Sequence, residues 1–325
     1  MDEPVRTYIY HVAMLVFSSL GILINLATVC AILLNSALRR EQHIFTFSLA
    51  LADFASAVAM FITNLNDFPE SPFQIEEPSW IVCLFTTGLV ISILSTLAIA
   101  FERLIILRID ALGSRRIVTG RRSVAVCMVI WIIVPAIYFF LLGFNAALSD
   151  ILLYFISPCI TIASLFITAI CYILIYKKIA MISENVGLND AALERRAKNS
   201  KKILVTFALV VASTSACWII MCCVLVVEYL SFIYYQLELE TLWFRVLADI
   251  GNVLVSINGI LNPVIIWLRL TVFRTQLRTC FERLRCRKAH ESQSSSRVTL
   301  DSTTVTTNPS AGSTINITMD DIKAN

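Results

Sequence analysis

The stretch Trp80–Leu107, WIVCLFTTGLVISILSTLAIAFERLIIL, decides the fold class of this chain. It carries no charge from Trp80 to Phe101, and about 20 apolar residues are enough for a helix to cross the hydrocarbon core of a bilayer. The apolar fraction of 58% and the mean hydropathy of +0.78 are far above those of an ordinary soluble domain. The sequence therefore predicts an all-α membrane protein, a seven-transmembrane helix bundle. The six other long apolar runs are Ile9–Leu34, Ile44–Asn64, Val124–Gly143, Ile151–Tyr176, Ile203–Leu230 and Trp243–Leu268.

The basic residues predict how the bundle is oriented. Of the 26 Lys and Arg residues, 24 fall in the first, third and fifth connections or at and after the end of the seventh run. Only Arg6 and Arg245 lie on the other side. Because basic loops stay in the cytoplasm, we expect an extracellular amino terminus and a cytoplasmic carboxyl terminus in the plasma membrane. The charge is explained by topology in the lipid bilayer, and we expect no nucleic-acid partner.

The chain divides into four predicted parts. Residues 1–8 form a short extracellular terminus, 9–268 the transmembrane domain, 269–288 an amphipathic eighth helix, and 289–325 a disordered Ser/Thr-rich cytoplasmic tail. The fifth connection contains AALERRAKNSKK, which predicts a helical extension with a basic face. Cys280 and Cys286 are either palmitoylation sites or free cytosolic thiols. The tail composition suits phosphorylation, which adds charge that basic partner pockets can bind.

Asp53 is the only acid in the middle of a predicted span. A lone carboxylate in that place costs several kcal/mol unless it is protonated, paired or bound to a metal. Oxygen ligands around one carboxylate suit a small hard cation such as sodium, and a protonated, hydrogen-bonded Asp53 is the alternative. The candidate partners are Asn25, Ser92, Asn258 and Asn262.

Further unusual residues recur along the runs. Glu102-Arg103 ends the third run, where an adjacent acid can hold the arginine in one state and release it in another. Asn262-Pro263 interrupts the seventh run, and proline there permits a kink because it removes a backbone hydrogen bond. Trp218 follows Cys217 deep in the sixth run.

In combination these residues resemble the rhodopsin-like (class A) G-protein-coupled receptors. The resemblance covers about residues 9–286 and depends on the order and spacing of seven landmarks. The landmarks are Asn25, the LALAD stretch ending in Asp53, Glu102-Arg103, Trp131, Tyr172, Cys217-Trp218 and NGILNPVII at Asn258–Ile266.

The resemblance implies a receptor and no enzyme. An extracellular ligand would favour an arrangement in which the sixth helix moves outward, and the opened cavity would then bind a heterotrimeric G protein. Arrestin and receptor kinases would act through the tail. The implied switch residues are Glu102, Arg103, Tyr172, Trp218, Asn262 and Pro263. The implied sodium site is Asp53, Ser92, Asn258 and Asn262.

Several positions depart from the family pattern. Leu104 and Ile266 stand where tyrosines are usual, and Ser200 and Lys201 stand where an acid often pairs with the arginine. A missing pair predicts raised basal activity. The bridge between the third helix and the second outer loop is also missing, because Cys83 lies too deep and should pack inside the bundle. These features resemble the melanocortin, lysolipid and cannabinoid receptor branch.

Matching positions also predict the ligand pocket. Phe85 lacks the carboxylate that would bind an amine, and Ser256 lacks the lysine that would bind retinal, so we expect no retinal cofactor. The mostly apolar set favours a lipid-like or peptide ligand, although several members could simply be packed interior. The predicted pocket residues are Phe85, Thr86, Leu89, Trp218, Met221, Cys222, Asn252 and Ser256.

A seven-helix transporter or channel is the alternative function. It would favour paired broken helices in an internal repeat, and the sequence has no such pattern. A single acid in the middle of the membrane also argues against a continuous ion path. A membrane enzyme is a third class, but the spans contain no His pair, no GxSxG motif and no Asp dyad.

Overall fold

Seven long helices make up most of the computed structural model. The structure describes residues 3–36, 38–39, 41–68, 79–109, 117–144, 146–185, 191–235, 241–269 and 273–275. All seven helices are long and apolar enough to cross a membrane, so the predicted seven-helix architecture is confirmed. The helices are α1 (Glu3–Leu34), α2 (Ile44–Asn66), α3 (Ser79–Leu104), α4 (Gly120–Phe144), α5 (Ser157–Asn185), α6 (Ala191–Tyr235) and α7 (Leu242–Arg269).

The helices pack against one another in a single bundle. Helix α1 contacts both α2 and α7, and α6 contacts both α5 and α7. Helix α3 packs against α2, α4 and α5, which makes it the central element. We call the end of the bundle where α1 begins the amino-terminal end, and the end where α7 finishes the carboxyl-terminal end.

Helix α1 begins at Glu3, six residues before the apolar run from which it was predicted. Residues 3–8 are therefore helical and continuous with the first span. The Glu3 carboxylate lies in the first turn, where the helix dipole favours negative charge. It also accepts a hydrogen bond from Arg245 Nη1 over 2.7 Å. Polar residues can extend the helix here because their partners lie on α7.

The start of the fifth span is irregular. A short helix, Ala146–Asp150, leads into a π-helical segment, Ile151–Ile156, and α5 follows at once. Pro158 has no N–H and cannot donate to the carbonyl of Tyr154 in an α-helical pattern. In the π-helical segment directly before it, hydrogen bonds join residues five apart instead of four, so the segment does not depend on a bond to the carbonyl of Tyr154. Ser157 donates both its N–H and its hydroxyl to the carbonyl of Leu152.

Glycines bring several helix pairs close together. A Cβ on Gly21 of α1 would lie 3.2 Å from the Cβ of Ala57 on α2, and one on Gly251 of α7 would lie 3.1 Å from the Sδ of Met221 on α6. A Cβ on Gly88 of α3 would lie 2.9 Å from the backbone oxygen of Ala52 on α2. Small residues let backbones approach in this way in membrane bundles.

The stretches flanking the bundle are only partly described. The predicted extension AALERRAKNSKK is helical and forms the first three turns of α6, which begins at Ala191. Phe273 is also helical and fully buried, with its ring 5.5 Å from those of His43 and Trp267. The rest of the predicted amphipathic helix, both candidate lipidation cysteines and the tail lie outside the described residues.

Candidate functional site

Asp53 lies at the centre of a polar cluster that joins three helices. Its side chain is only 4% exposed. Its Oδ2 accepts a hydrogen bond from Asn262 Nδ2 on α7 over 3.1 Å, and Ser92 on α3 is a second hydrogen-bonding partner. The Oδ1 of Asn262 accepts in turn from Thr214 Oγ1 on α6 over 3.4 Å. The predicted proximity of Asp53, Ser92 and Asn262 is therefore present, and the chain of bonds reaches α6.

The cluster borders a small cavity of about 30 Å³. Asp53 and Asn258 both line it, and the Oδ1 of Asn258 has no hydrogen-bond partner among the described residues. A space of this size holds one or two water-sized groups. Walls are also contributed by Ser18 and Gly21 of α1 and by Ser56 of α2.

These residues fit a sodium ion by their chemistry. The Asp53 carboxylate and the unpartnered Asn258 oxygen are hard oxygen donors that line the small cavity. The Ser92 hydroxyl, a third oxygen donor, is hydrogen-bonded to Asp53 but does not line the cavity. Asn262 presents its NH₂ group to Asp53, and its own oxygen is engaged by Thr214. In this arrangement Asn262 is a hydrogen-bond donor to the carboxylate and not an oxygen ligand.

Asn25 connects α1 to α7 next to this cluster. Its Nδ2 donates to the carbonyl of Gly259 over 2.9 Å and to that of Gly21 over 3.0 Å. The residue is fully buried. An amide that bonds to the backbone of both helices fixes their relative register, so this landmark has a structural role.

Trp131 connects α4 to the same side of the bundle. Its indole Nε1 donates to the Ser48 hydroxyl on α2 over 3.0 Å, and Ser48 is 2.9 Å from the Ser95 hydroxyl on α3. Cys83 is buried and its Sγ lies 3.6 Å from the carbonyl oxygen of Tyr138 on α4. Its predicted position inside the bundle is confirmed.

Glu102 and Arg103 lie at the carboxyl-terminal end of α3. The Arg103 Nη2 is 3.6 Å from the Glu102 Oε2, and both side chains are largely buried, at 13% and 3% exposure. Tyr172 of α5 lies in the electrostatic field of this pair. The Tyr172 hydroxyl has no hydrogen-bond partner among the described residues. Ile266 of α7, which belongs to the same buried cluster as Tyr172, is 2% exposed and offers it no acceptor.

The comparison with known families agrees with this arrangement. Residues 24–149 match the family model described as 7 transmembrane receptor (rhodopsin family). Over this part, the chain is similar to the rhodopsin family of receptors. The matched part contains Asn25, Asp53, the Glu102-Arg103 pair and Trp131, which are four of the landmarks that carried the resemblance.

The bundle has a larger cavity of about 170 Å³ nearer its amino-terminal end. Six of the eight predicted pocket residues line it. Cys222 is instead buried against Trp218 and Val255. Ser256 faces α1, where its hydroxyl lies 3.7 Å from Met14 Sδ and donates to the carbonyl of Asn252. The six lining residues are Phe85, Thr86, Leu89, Trp218, Met221 and Asn252.

The sequence prediction missed the wall of the receptor cavity that α5 provides. Residues of the π-helical segment and the first turns of α5 repeat at helical spacing and all line the cavity. The signal available in the sequence was the recurrence of hydroxyl groups along an otherwise apolar run, which could have indicated the face that lines the cavity. The missed residues are Leu153, Tyr154, Ser157, Pro158 and Thr161.

A ladder of polar contacts joins α1 and α7 at the amino-terminal end of the bundle. Two ion pairs come first, Glu3 with Arg245 at 2.7 Å and Arg6 with Asp249 at 3.8 Å. Tyr10 then bonds to the side chain of Asn252, and Ser256 reaches Met14. We call these four contacts the α1–α7 ladder. Through its third contact, at Asn252, the ladder reaches the wall of the larger cavity.

Proposed function

We propose that this receptor lies in the plasma membrane, with its amino terminus extracellular, and activates a heterotrimeric G protein when an extracellular lipid-like or peptide ligand enters the larger cavity. The sidedness follows from the distribution of 24 of the 26 basic residues. The ligand would enter from the amino-terminal end. The G protein, and later arrestin and receptor kinases, would bind on the cytoplasmic side.

One observation carries this proposal. Phe85, Leu89 and Val255 line both the larger cavity and the small cavity next to Asp53. A ligand that moves these side chains also changes the packing around the polar cluster. That cluster reaches α6 through Thr214, and α6 is the helix whose displacement would open the cytoplasmic side.

Helix α3 offers a second physical link between ligand and G protein. It carries Phe85 and Leu89 at the larger cavity and Arg103 near its other end. A ligand shifts the population of arrangements only by as much as it binds one of them better. The apolar contacts of α3 with the ligand would supply that difference, and release of Arg103 from Glu102 would expose a cation to the G protein.

A second-messenger assay without ligand tests the proposal most directly. Ile266 offers the Tyr172 hydroxyl no acceptor, and the sequence has Ser200 and Lys201 where an acid often pairs with the arginine. The inactive packing therefore lacks two of the polar contacts that are usual in the family that the chain resembles. We expect the second-messenger level of receptor-expressing cells to exceed that of vector-only cells at matched surface expression. A level equal to that of vector-only cells would contradict the predicted basal activity.

Replacing Asp53 by asparagine is expected to abolish the effect of sodium on signalling while preserving the fold. The amide oxygen of the new side chain can still accept from Asn262, but the charge that attracts a cation is lost. Basal second-messenger production is measured in sodium chloride and in N-methylglucamine chloride. The matched control is Asp67→Asn, which makes the same change at an exposed acid. An unchanged response to sodium in Asp53→Asn would exclude Asp53 as the cation ligand.

A further inference from the structure

One part of the wall of the larger cavity has an irregular backbone. Leu153 and Tyr154 belong to the π-helical segment Ile151–Ile156 and line the cavity, and Ser157 and Pro158 line it directly afterwards. Segments of this kind are rare and occur frequently at functional sites. A contact that favours the π-helical pattern over the commoner α-helical one therefore decides which side chains this part of the wall presents.

Ser157 provides such a contact. Its backbone N–H and its hydroxyl both donate to the carbonyl of Leu152, which lies five residues earlier, and the hydroxyl does so over 2.6 Å. In an α-helical pattern the same N–H would donate to the carbonyl of Leu153, four residues earlier. Two donors from one residue thus hold the Leu152 carbonyl at the π-helical spacing.

Tyr138 of α4 fixes the direction of the Ser157 hydroxyl. The hydroxyl groups of the two residues are hydrogen-bonded to each other. A serine hydroxyl has a single hydrogen, and here that hydrogen is donated to the Leu152 carbonyl, which can only accept. The Tyr138 hydroxyl is therefore the donor, and a chain of two hydrogen bonds runs from Tyr138 through Ser157 to Leu152.

The Tyr138 side chain is itself held in place. It is 5% exposed and belongs to the same buried cluster as Cys83 of α3 and Leu152. The backbone carbonyl of Tyr138 also lies 3.6 Å from the Sγ of Cys83. Tyr138 is not among the described residues that line the larger cavity. Its effect on the wall is therefore transmitted through the π-helical segment.

The register of the π-helical segment decides which side chain meets which neighbour. Tyr154 lines the larger cavity, whereas the ring of Phe155 lies 5.6 Å from the ring of Tyr229 on α6. One residue corresponds to about 100° of rotation in an α-helix. A change from π-helical to α-helical spacing at Ser157 would turn the preceding residues by about that angle and move Tyr154 out of its place in the wall.

We propose that Tyr138 is a positioning residue of the larger cavity. By donating its hydroxyl hydrogen to Ser157, it holds the π-helical segment in the register that places Leu153 and Tyr154 in the wall. The inference rests on the proposed role of this cavity as the ligand site, whose shape the register sets. Tyr138 thereby contributes to the fit of the ligand without contacting it.

The test replaces Tyr154 by 4-trifluoromethyl-phenylalanine and records the fluorine resonance of the purified protein in lipid nanodiscs. Tyr138→Phe keeps the ring and removes the hydroxyl, so the Ser157 hydroxyl loses its donor. We expect the resonance to move or to split into two, with the ratio of the two registers changed about fivefold, the effect of losing one hydrogen bond of about 1 kcal/mol. A purely destabilising change would lower the Tm and leave the resonance of the folded protein where it was.

Tyr10→Phe is the matched control. It also removes a tyrosine hydroxyl that bonds to a residue of the cavity wall, but that residue, Asn252, belongs to α7. The fluorine resonance should keep its position in this variant. A displacement as large as that in Tyr138→Phe would show that the reporter does not distinguish the register of the π-helical segment, and it would overturn the proposal.

Ser157→Ala removes the middle of the chain of hydrogen bonds. It should change the fluorine resonance in the same direction as Tyr138→Phe. Adding Tyr138→Phe to Ser157→Ala should then have no further effect, because the Tyr138 hydroxyl has already lost its acceptor. An unchanged resonance in Tyr138→Phe, or in Ser157→Ala if Tyr138→Phe does not fold, would exclude the positioning role.

The fluorine resonance is independent of signalling. A protein that produces no second messenger but shows the expected changes of the resonance would contradict the proposed coupling and support the role of Tyr138. The opposite result, signalling with a resonance that Tyr138→Phe leaves unchanged, would contradict the role of Tyr138 alone.

Discussion

Replacement of Gly88 by alanine is expected to force α2 and α3 apart and to destabilise the receptor by about 1–3 kcal/mol. The added Cβ would lie 2.9 Å from the carbonyl oxygen of Ala52 and would collide with the Ser56 hydroxyl. The hydroxyl can rotate, but the carbonyl oxygen belongs to the backbone of α2 and can retreat only if the helix moves. A leucine in the same place should prevent folding altogether.

Gly259 provides the matched control for this change. A Cβ there meets no heavy atom within 4 Å, and alanine is the better helix former by up to about 1 kcal/mol. The Tm of detergent-solubilised protein and the monodisperse fraction in size-exclusion chromatography are measured for both variants. Gly88→Ala should lose Tm and yield, and Gly259→Ala should match or exceed the unmodified chain. Equal stability of the two variants would mean that α2 and α3 pack less closely at Gly88 than they do in the structure.

Replacement of Arg103 by alanine is expected to reduce second-messenger production to the level of vector-only cells. Arg103 is the cation that the proposed mechanism exposes when the cytoplasmic side opens. Its side chain is mostly buried next to Glu102 and is therefore shielded from solvent in this structure. The effect should be on coupling, and the amount of receptor at the cell surface should stay within about twofold of the unmodified chain.

Two further variants separate coupling from folding. Arg108→Ala removes the same charge from an exposed position a few residues further along the chain, and it should retain signalling. The single Arg103 change leaves the Glu102 carboxylate buried without its cation, so Glu102→Gln combined with Arg103→Ala tests the loss of arginine in a neutral site. Signalling by this double variant at normal surface expression would exclude the role proposed for Arg103.

The seven helices were predictable because a chain in lipid must satisfy its backbone hydrogen bonds within each span. That constraint produces long apolar runs, and Trp80–Phe101 is the clearest of them. The start of α1 was not predictable in the same way. Glu3 and Arg6 look like a hydrated terminus in the sequence, whereas in the fold Arg245 and Asp249 lie next to them and pair with them.

The candidate site was partly predictable for a similar reason. Asp53 stands out in the sequence because an isolated acid inside a span is costly, and its proximity to Ser92 and Asn262 agrees with the expectation. The orientation of the Asn262 side chain depends on its hydrogen bond with Thr214 of α6. No local sequence pattern links these two residues. Likewise, the part of α5 that faces the cavity depends on the π-helical segment before Pro158.

The α1–α7 ladder has a consequence for the biogenesis of the protein. Glu3 and Arg245 are separated by 242 positions in the chain. Because the helices emerge from the ribosome in order, the polar residues of α1 can form these contacts only after α7 has been synthesised. Contacts of such long range form late. A nascent chain interrupted before α7 would keep Glu3, Arg6 and Tyr10 without those partners. We therefore expect membrane quality control to retain chains that end before α7, and addition of α7 as a separate peptide to release them.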